Sequence, residues 1–172
     1  MKPHSFFFFA VLFTFYQCKI PVVYAPPTTS DLAQMNQVID AWHAAAAHGD
    51  STAYFALMTN DAVFLGTDAM ERWTKPQMQK ELARAFDGKE AWTFLPHDRY
   101  YTPTGNRDVY HFDESLKTWM GPCRGSGLMK KVNGKWMVYF YNLANTVPNQ
   151  VMNKYIELLP VKEVLLRKLI RH

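Results

Sequence analysis

The stretch "WMGPCRGSGLMKKVNGKWMVYFYNL" (Trp119–Leu143) decides how the chain is read. Asn133-Gly134 stands between two runs rich in aliphatic and aromatic residues, and Asn-Gly accepts positive φ at both centres of a tight type I′ turn. The stretch is therefore a long β-hairpin. With a two-residue turn Val132 pairs with Lys135, which sets Val138 opposite Met129, Phe140 opposite Gly127 and Asn142 opposite Gly125. In that register Trp136, Val138, Phe140 and Asn142 share one face, and Met137, Tyr139, Tyr141 and Leu143 share the other. The small residues between Gly121 and Gly127 weaken an ordinary strand, so a bend, a bulge or the close approach of another group is expected there. Space beside Asn142 marks its face as the one turned to a ligand. Both faces are largely apolar and both need cover. Helices can supply one; the face of Tyr139 and Tyr141, with Leu128 and Ser126, suits a second copy of the chain, so a homodimer through the outer face of the sheet is expected.

Outward from the hairpin, the preceding segments also read as strands: Ala62 to Leu65, Trp92 to Thr102, and Asp108 to Glu114 after a turn at Pro103-Thr104-Gly105-Asn106. Three helices come first or between. Asp31 with Gln34 gives a capping-box start to a helix whose Met35, Val38, Ile39, Trp42, Ala45 and Ala46 fall on one face and which Gly49 ends. Asp50 or Ser51 caps a short second helix with Tyr54 and Phe55. Thr74 with Gln77 starts a third, carrying Met78, Leu82, Ala85 and Phe86 and ending at Gly88. Between strand and third helix, "GTDAMERW" has no period of its own and reads as a structured loop. After Pro148, Asn149 caps a fourth helix through Leu159. Helices followed by antiparallel strands indicate an α+β fold.

The N-terminus has the order of a signal peptide: Lys2, an apolar run from Phe6 to Tyr16, and Val23-Tyr24-Ala25 as a small-residue cleavage site. The division expected is residues 1–25 signal peptide, 26–31 linker, 32–159 a single domain and 160–172 a basic C-terminal helical extension. The apolar run falls short of the roughly 20 residues a spanning helix needs, so export without a stable membrane anchor is expected. A lipoprotein acylated at Cys18 is the alternative. Loss of Lys2 and Lys19 lowers the formal net charge from +4 to +2, and the one basic cluster, Lys162, Arg167, Lys168 and Arg171, lies in the tail. Nucleic-acid binding is therefore not expected. Cys123 would be the single cysteine left, a buried small hydrophobe rather than a nucleophile.

No glycine-rich dinucleotide or phosphate loop, HExxH, CxxC or GxSxG pattern occurs, so neither a cofactor nor a metal is expected. His43 and His48 fall off the Met35/Trp42 stripe and read as surface residues; His97 and His111 are lone strand histidines without an evident partner. Hydrogen-bonding residues set in apolar stretches mark the candidate site. They are Asp68 and Asp113 as carboxylate bases, and Arg72, Arg124 and Asn142 as binding or oxyanion-stabilising groups. Trp73 and Trp119 are either ligand platforms or core aromatics. Each polar candidate also has a structural reading: Asp68 and Arg72 as a loop ion pair, Asp113 and Glu114 as a strand cap, Arg124 on bulge carbonyls.

The segments "FLGTDAMERW" (Phe64–Trp73), "AWTF" (Ala91–Phe94), "FDE" (Phe112–Glu114), "TWMGPCRGSG" (Thr118–Gly127) and "YNLANTVPN" (Tyr141–Asn149), in this order of elements, resemble the SnoaL-like proteins of the nuclear transport factor 2-like superfamily. The resemblance covers roughly residues 32–158. It implies a cone: a curved antiparallel sheet wrapped round N-terminal helices, a pocket at the wide end, and dimers through the outer face. That scaffold serves isomerases, cyclases, dehydratases and plain binding modules, so function has to come from the site. The expectation is an exported small-molecule-binding protein with one pocket. A cofactor-independent isomerase, dehydratase or lyase using a pocket Asp is the first alternative, and a structural or interaction module with a closed pocket the second.

Overall fold

The Asn133-Gly134 turn forms as its sequence dictates. Both residues hold positive φ, 51° and 78°, and Val132 faces Lys135 across the turn. In the computed structural model, which describes residues 25–86 and 91–158, the hairpin arms are the two innermost antiparallel strands of a six-stranded open, curved sheet. In chain order the elements are α1 (Thr29–Ala47), α2 (Ser51–Ala56), β1 (Met58–Leu65), β2 (Arg72–Thr74), α3 (Lys75–Glu81), β3 (Leu95–Pro103), β4 (Val109–Thr118), β5 (Gly121–Val132), β6 (Lys135–Asn145), and a 3₁₀ turn (Asn149–Val151) running into α4 (Met152–Leu158). The strand order is β2-β1-β6-β5-β4-β3, with β1 parallel to β6 and every other pair antiparallel. The α+β reading holds. The proposed signal peptide and the 160–172 extension lie outside the described residues, apart from Ala25.

The face assignment of the hairpin changes halfway along. Met129 pairs with Val138, but the next pair is Leu128 with Phe140, so Tyr139 is an extra residue on β6. A β-bulge of this kind turns every later side chain to the opposite face. Before it, Trp136 and Val138 are inside, as expected. After it, Tyr141 and Leu143 are buried, while Phe140 and Asn142 face outward and are half-exposed. Asn142 is thus on the convex side, and Tyr141 is a core residue rather than part of an outer apolar face.

The small residues of β5 now have a use. Gly127 faces Tyr141 and Gly125 faces Leu143. A Cβ on Gly127 would strike the Phe140 carbonyl and the Phe112 ring, and one on Gly125 would strike the Tyr141 hydroxyl. Large residues do face these glycines, but the residue that fills the space is Tyr141. Trp119 is in neither strand: Thr118 pairs with Gly121, and Trp119-Met120 forms the tip of the β4–β5 turn, closed by the Thr118 hydroxyl on the Gly121 carbonyl and by Gly121 at φ 94°.

Helix α1 is capped three residues earlier than Asp31 suggested. The cap is Thr28, whose hydroxyl oxygen accepts from the Asp31 amide at 3.0 Å and whose proton goes to the Asp31 carboxylate at 2.7 Å. Asp31 is freed for a longer reach: its other oxygen accepts from Lys131 at 2.6 Å and from the Trp136 indole at 2.9 Å. The hydrogen bond from Lys131, with those from Thr28 and Trp136, holds its pKa at about 2. This pins the start of α1 to the hairpin. From there Met35, Ile39, Trp42 and Ala46 descend into the concave side against Phe112, Met129, Val138 and Tyr141. His43 joins them. It stands one turn after Ile39 and is only 6% exposed, so it belongs to the inner stripe and not to the surface.

Candidate functional site

One carboxylate sits at the centre of the fold. Strand β4 alternates Tyr110, Phe112, Glu114 and Leu116 inward, so Glu114 occupies a core position and is fully buried. A buried charge needs partners on every lone pair. Glu114 Oε1 accepts from His43 Nε2 at 2.7 Å and from the Tyr141 hydroxyl at 3.3 Å; Oε2 accepts from Arg99 Nε at 2.9 Å and lies 2.8 Å from Arg99 Nη2. Arg99 Nη1 reaches Asp40 at 2.9 Å and Asn36 at 3.1 Å, and the Tyr101 hydroxyl also donates to Asn36 at 3.0 Å. The network thus ties α1 to β3, β4 and β6.

Backbone irregularity delivers two of these groups. Between His97, opposite Ser115, and Tyr100, opposite Asp113, two residues face Glu114 alone, and the first of them, Asp98, holds φ 53°. That bulge turns Arg99 inward onto the carboxylate. The β6 bulge does the same for Tyr141. Burial pushes the Glu114 carboxyl up, but the hydrogen bond and charge of His43 and those of Arg99 outweigh it and hold it below the usual range. Burial, with Glu114 adding to it, pushes the Tyr141 phenol well up, so it stays a donor.

Next to this network opens a cavity of about 270 Å³. Its walls come from the end of β1 (Phe64), the loop after it (Gly66, Thr67, Glu71), β2 (Trp73), the segment leading to β3 (Trp92, Phe94) and the β4–β5 turn (Trp119, Met120), with Leu82, Ala91 and Leu143 completing it. Ring contacts join wall and network. Trp73 stacks on Phe64 at 6.2 Å, Phe64 on Tyr141 at 5.7 Å, and Phe94 meets His43 edge-on at 6.2 Å. Trp119 stands at the rim, 81% exposed. A larger cavity of about 460 Å³ between α2 and α3 has one cation, Lys75, which is engaged by the Met58 carbonyl at 3.0 Å, and it touches none of the network.

The residues singled out from sequence are dispersed. Trp73 and Trp119 share the aromatic cavity. Asp68 and Asn142 meet at a separate groove of about 300 Å³ with Asn145 and Tyr155, where the Asp68 carboxylate caps the Met70 amide at 2.8 Å. Arg72 is exposed on β2, the neighbour of Trp73 on the other side of the strand. Asp113 and Arg124 pair at 3.1 Å on the convex face, on the opposite side of the sheet from Glu114. Sequence reasoning missed His43, Arg99, Glu114, Tyr141 and the cavity residues Phe64, Glu71, Trp92 and Phe94. The inward parity of Glu114 and the four-residue step from Ile39 to His43 were available signals. Nothing in the sequence announced Arg99. No group of three or more potential metal ligands occurs among the described residues, and no helix among them is long and apolar enough to cross a membrane.

The sequence model of a family described as SnoaL-like domain matches residues 35–146. Among solved structures, the fold is similar to an NTF2-like protein of unknown function from Pseudomonas putida, with 13% identity, TM-score 0.59, and coverage of 73% of this chain and 94% of that one. It is similar to a protein of unknown function with a cystatin-like fold from Nostoc punctiforme, with 14% identity, TM-score 0.57, and coverage of 70% and 94%. A putative scytalone dehydratase from Novosphingobium aromaticivorans aligns at 8% identity, TM-score 0.56, with coverage of 69% and 85%. At such identities the likeness concerns the fold alone. No curated protein matches the chain.

Proposed function

The chain belongs to the SnoaL-like domain family, and from that premise we propose that it binds a small, partly apolar organic molecule in the aromatic cavity at the open end of its sheet. The observation that carries this reading is the convergence of five aromatic side chains, Phe64, Trp73, Trp92, Phe94 and Trp119, from four segments around one opening. Rings of this kind provide apolar area at low cost in conformational entropy, and Trp119 spends exposed surface that a purely structural role would bury. Three of the chain's five tryptophans line the cavity, so ligand entry reads out in their emission. Titration with a panel of small apolar compounds is expected to give saturable changes, and Trp119→Ala, which leaves the core untouched, to weaken binding about tenfold, or about 1.4 kcal/mol. No saturable change with any member of the panel would end the reading.

A second reading, turnover by cofactor-independent acid–base chemistry of the isomerase, dehydratase or lyase kind, is favoured by the His43–Glu114 pair one ring behind the cavity wall. In it His43, oriented by Glu114, is the proton-transferring group in place of Asp68 or Asp113. Turnover that survives His43→Gln in folded protein removes this version of the enzyme.

The protein is further proposed to be exported and to pair through its convex sheet face, where Leu128 and Phe140 are half-exposed. Leu128→Glu with Phe140→Glu should then give a folded monomer by sedimentation; a wild-type monomer at micromolar concentration excludes the dimer. N-terminal sequencing of material outside the cytoplasm tests export, an intact Met1 being the contrary result.

A further inference from the structure

The aromatic cavity has one charged group among its described lining residues, and that group is a carboxylate, Glu71. Its place is built into the wall. Glu71 Oε2 accepts from the Asp68 amide at 3.2 Å, the Glu71 amide donates to the Asp68 carbonyl at 2.9 Å, and the Gly66 amide donates to the Glu71 carbonyl at 2.8 Å. The side chain packs over Gly66, where a Cβ would collide with it, so the loop's one glycine is what lets the carboxylate lie against the cavity. The one hydroxyl among the described lining residues, that of Thr67, is directed at the Met120 sulfur, 3.9 Å away.

From this we infer that the ligand is a small organic cation, a tertiary or quaternary ammonium compound, held by the aromatic walls and Glu71 together. The inference rests on the pocket reading above and narrows it. Tryptophan and phenylalanine rings present negative faces, and an alkylated ammonium is attracted to them while carrying little hydration to lose. A neutral apolar ligand would press against Glu71 and strip water from its charge without replacing it, and an anion would meet like charge with no cation among the described lining residues to offset it. A cation alone satisfies both the rings and the carboxylate. The volume, about 270 Å³, lies just under the ~300–1,000 Å³ typical of drug-sized ligands and suits a compact head group.

The test compares three compounds of one shape: choline, its neutral isostere 3,3-dimethyl-1-butanol, and the anion 3,3-dimethylbutanoate, each titrated by tryptophan emission and calorimetry. Choline is expected to bind about tenfold tighter than the neutral isostere, and the anion not to bind. Glu71→Gln keeps an acceptor for the Asp68 amide and removes the charge, so it should cut the preference for choline severalfold, with choline bound more weakly and the isostere at least as tightly as by the wild type. Trp119→Ala should weaken both. Equal or tighter binding of the isostere, or an unchanged preference in folded Glu71→Gln, overturns the inference. If choline fails while neutral compounds of the wider panel bind, the cation inference falls and the pocket reading stands; if nothing binds, both fall.

Discussion

Arg99→Met is expected to cost about 3–5 kcal/mol of folding stability, the range seen when one partner of a buried ion pair is removed and the other left behind. Methionine keeps much of the side chain's length and apolar stem, so the loss falls on the charge. Glu114 keeps only His43 and Tyr141 on one oxygen, and its second oxygen, fully buried, has lost its donor. Asp40 and Asn36 lose their shared donor as well. The pH dependence shows whether the carboxylate is the cause. In the wild type Glu114 is held below the usual 4.5, so its contribution is present above that value and fades as pH falls through the lower folded value. Without Arg99 only the hydrogen bond and charge of His43 are left to offset burial, so the folded pKa moves up, and the stability that the wild type gains as pH rises out of the acid range should shrink or reverse in the variant. Urea unfolding midpoints across that range read the two slopes directly. A variant as stable as wild type, or with the same slope, would show that the Arg99–Glu114 pair carries no such weight.

Much of the architecture was legible because it rests on local rules. Asn133-Gly134 specifies its turn through backbone sterics that no tertiary contact needs to correct. Thr74 with Gln77 forms the expected capping box, the Gln77 side chain accepting from the Thr74 amide at 2.9 Å. The start of α1 was displaced because two acceptors compete for one role: Thr28 takes the cap, and the Asp31 carboxylate, placed one turn in, is claimed by Lys131 and Trp136 from 100 and 105 residues away. A long-range claim of that kind has no sequence signature.

The site was less legible, and the two bulges are the reason. Counting alternate residues from the turn assigns faces correctly only until an extra residue enters, and Tyr139 enters four residues before the end of the useful stretch. The faces inferred for Asn142 and Tyr141 followed from the uninterrupted count and were inverted. In β3 the register shift between His97 and Tyr100 hides Arg99 in the same way, in a strand whose other side chains are largely exposed. The cavity residues are dispersed over seven segments, and their convergence comes from the topology, with β1 laid parallel beside β6 so that its loop meets the β4–β5 turn.

Gly125→Ala is the second substitution with a large expected effect, and it tests the link between the glycine arm and the buried network. Gly125 lies across from Glu114 on β4 and from Leu143 on β6, on the concave side. A methyl group there would overlap the Tyr141 hydroxyl, come within 2.8 Å of the ring carbon bearing it, and lie 3.1 Å from Glu114 Oε1. Tyr141 is 1% exposed and packed against Trp42, Phe64 and Phe112, so it has nowhere to retreat. Overpacking of this kind costs about 1–3 kcal/mol, and the displaced hydroxyl also gives up its bond to Glu114, about 1 kcal/mol more. Tyr141→Phe alone removes that bond at a similar small cost, since His43 and Arg99 still hold the carboxylate. Combined, the two changes should be less damaging than their sum by at least about 1 kcal/mol, because the phenylalanine lacks the atom that the new methyl group strikes. Thermal or urea unfolding of the four proteins in this cycle gives the coupling. Strict additivity would mean that the Gly125 methyl is accommodated elsewhere, and that the glycine is not what makes room for Tyr141 beside Glu114.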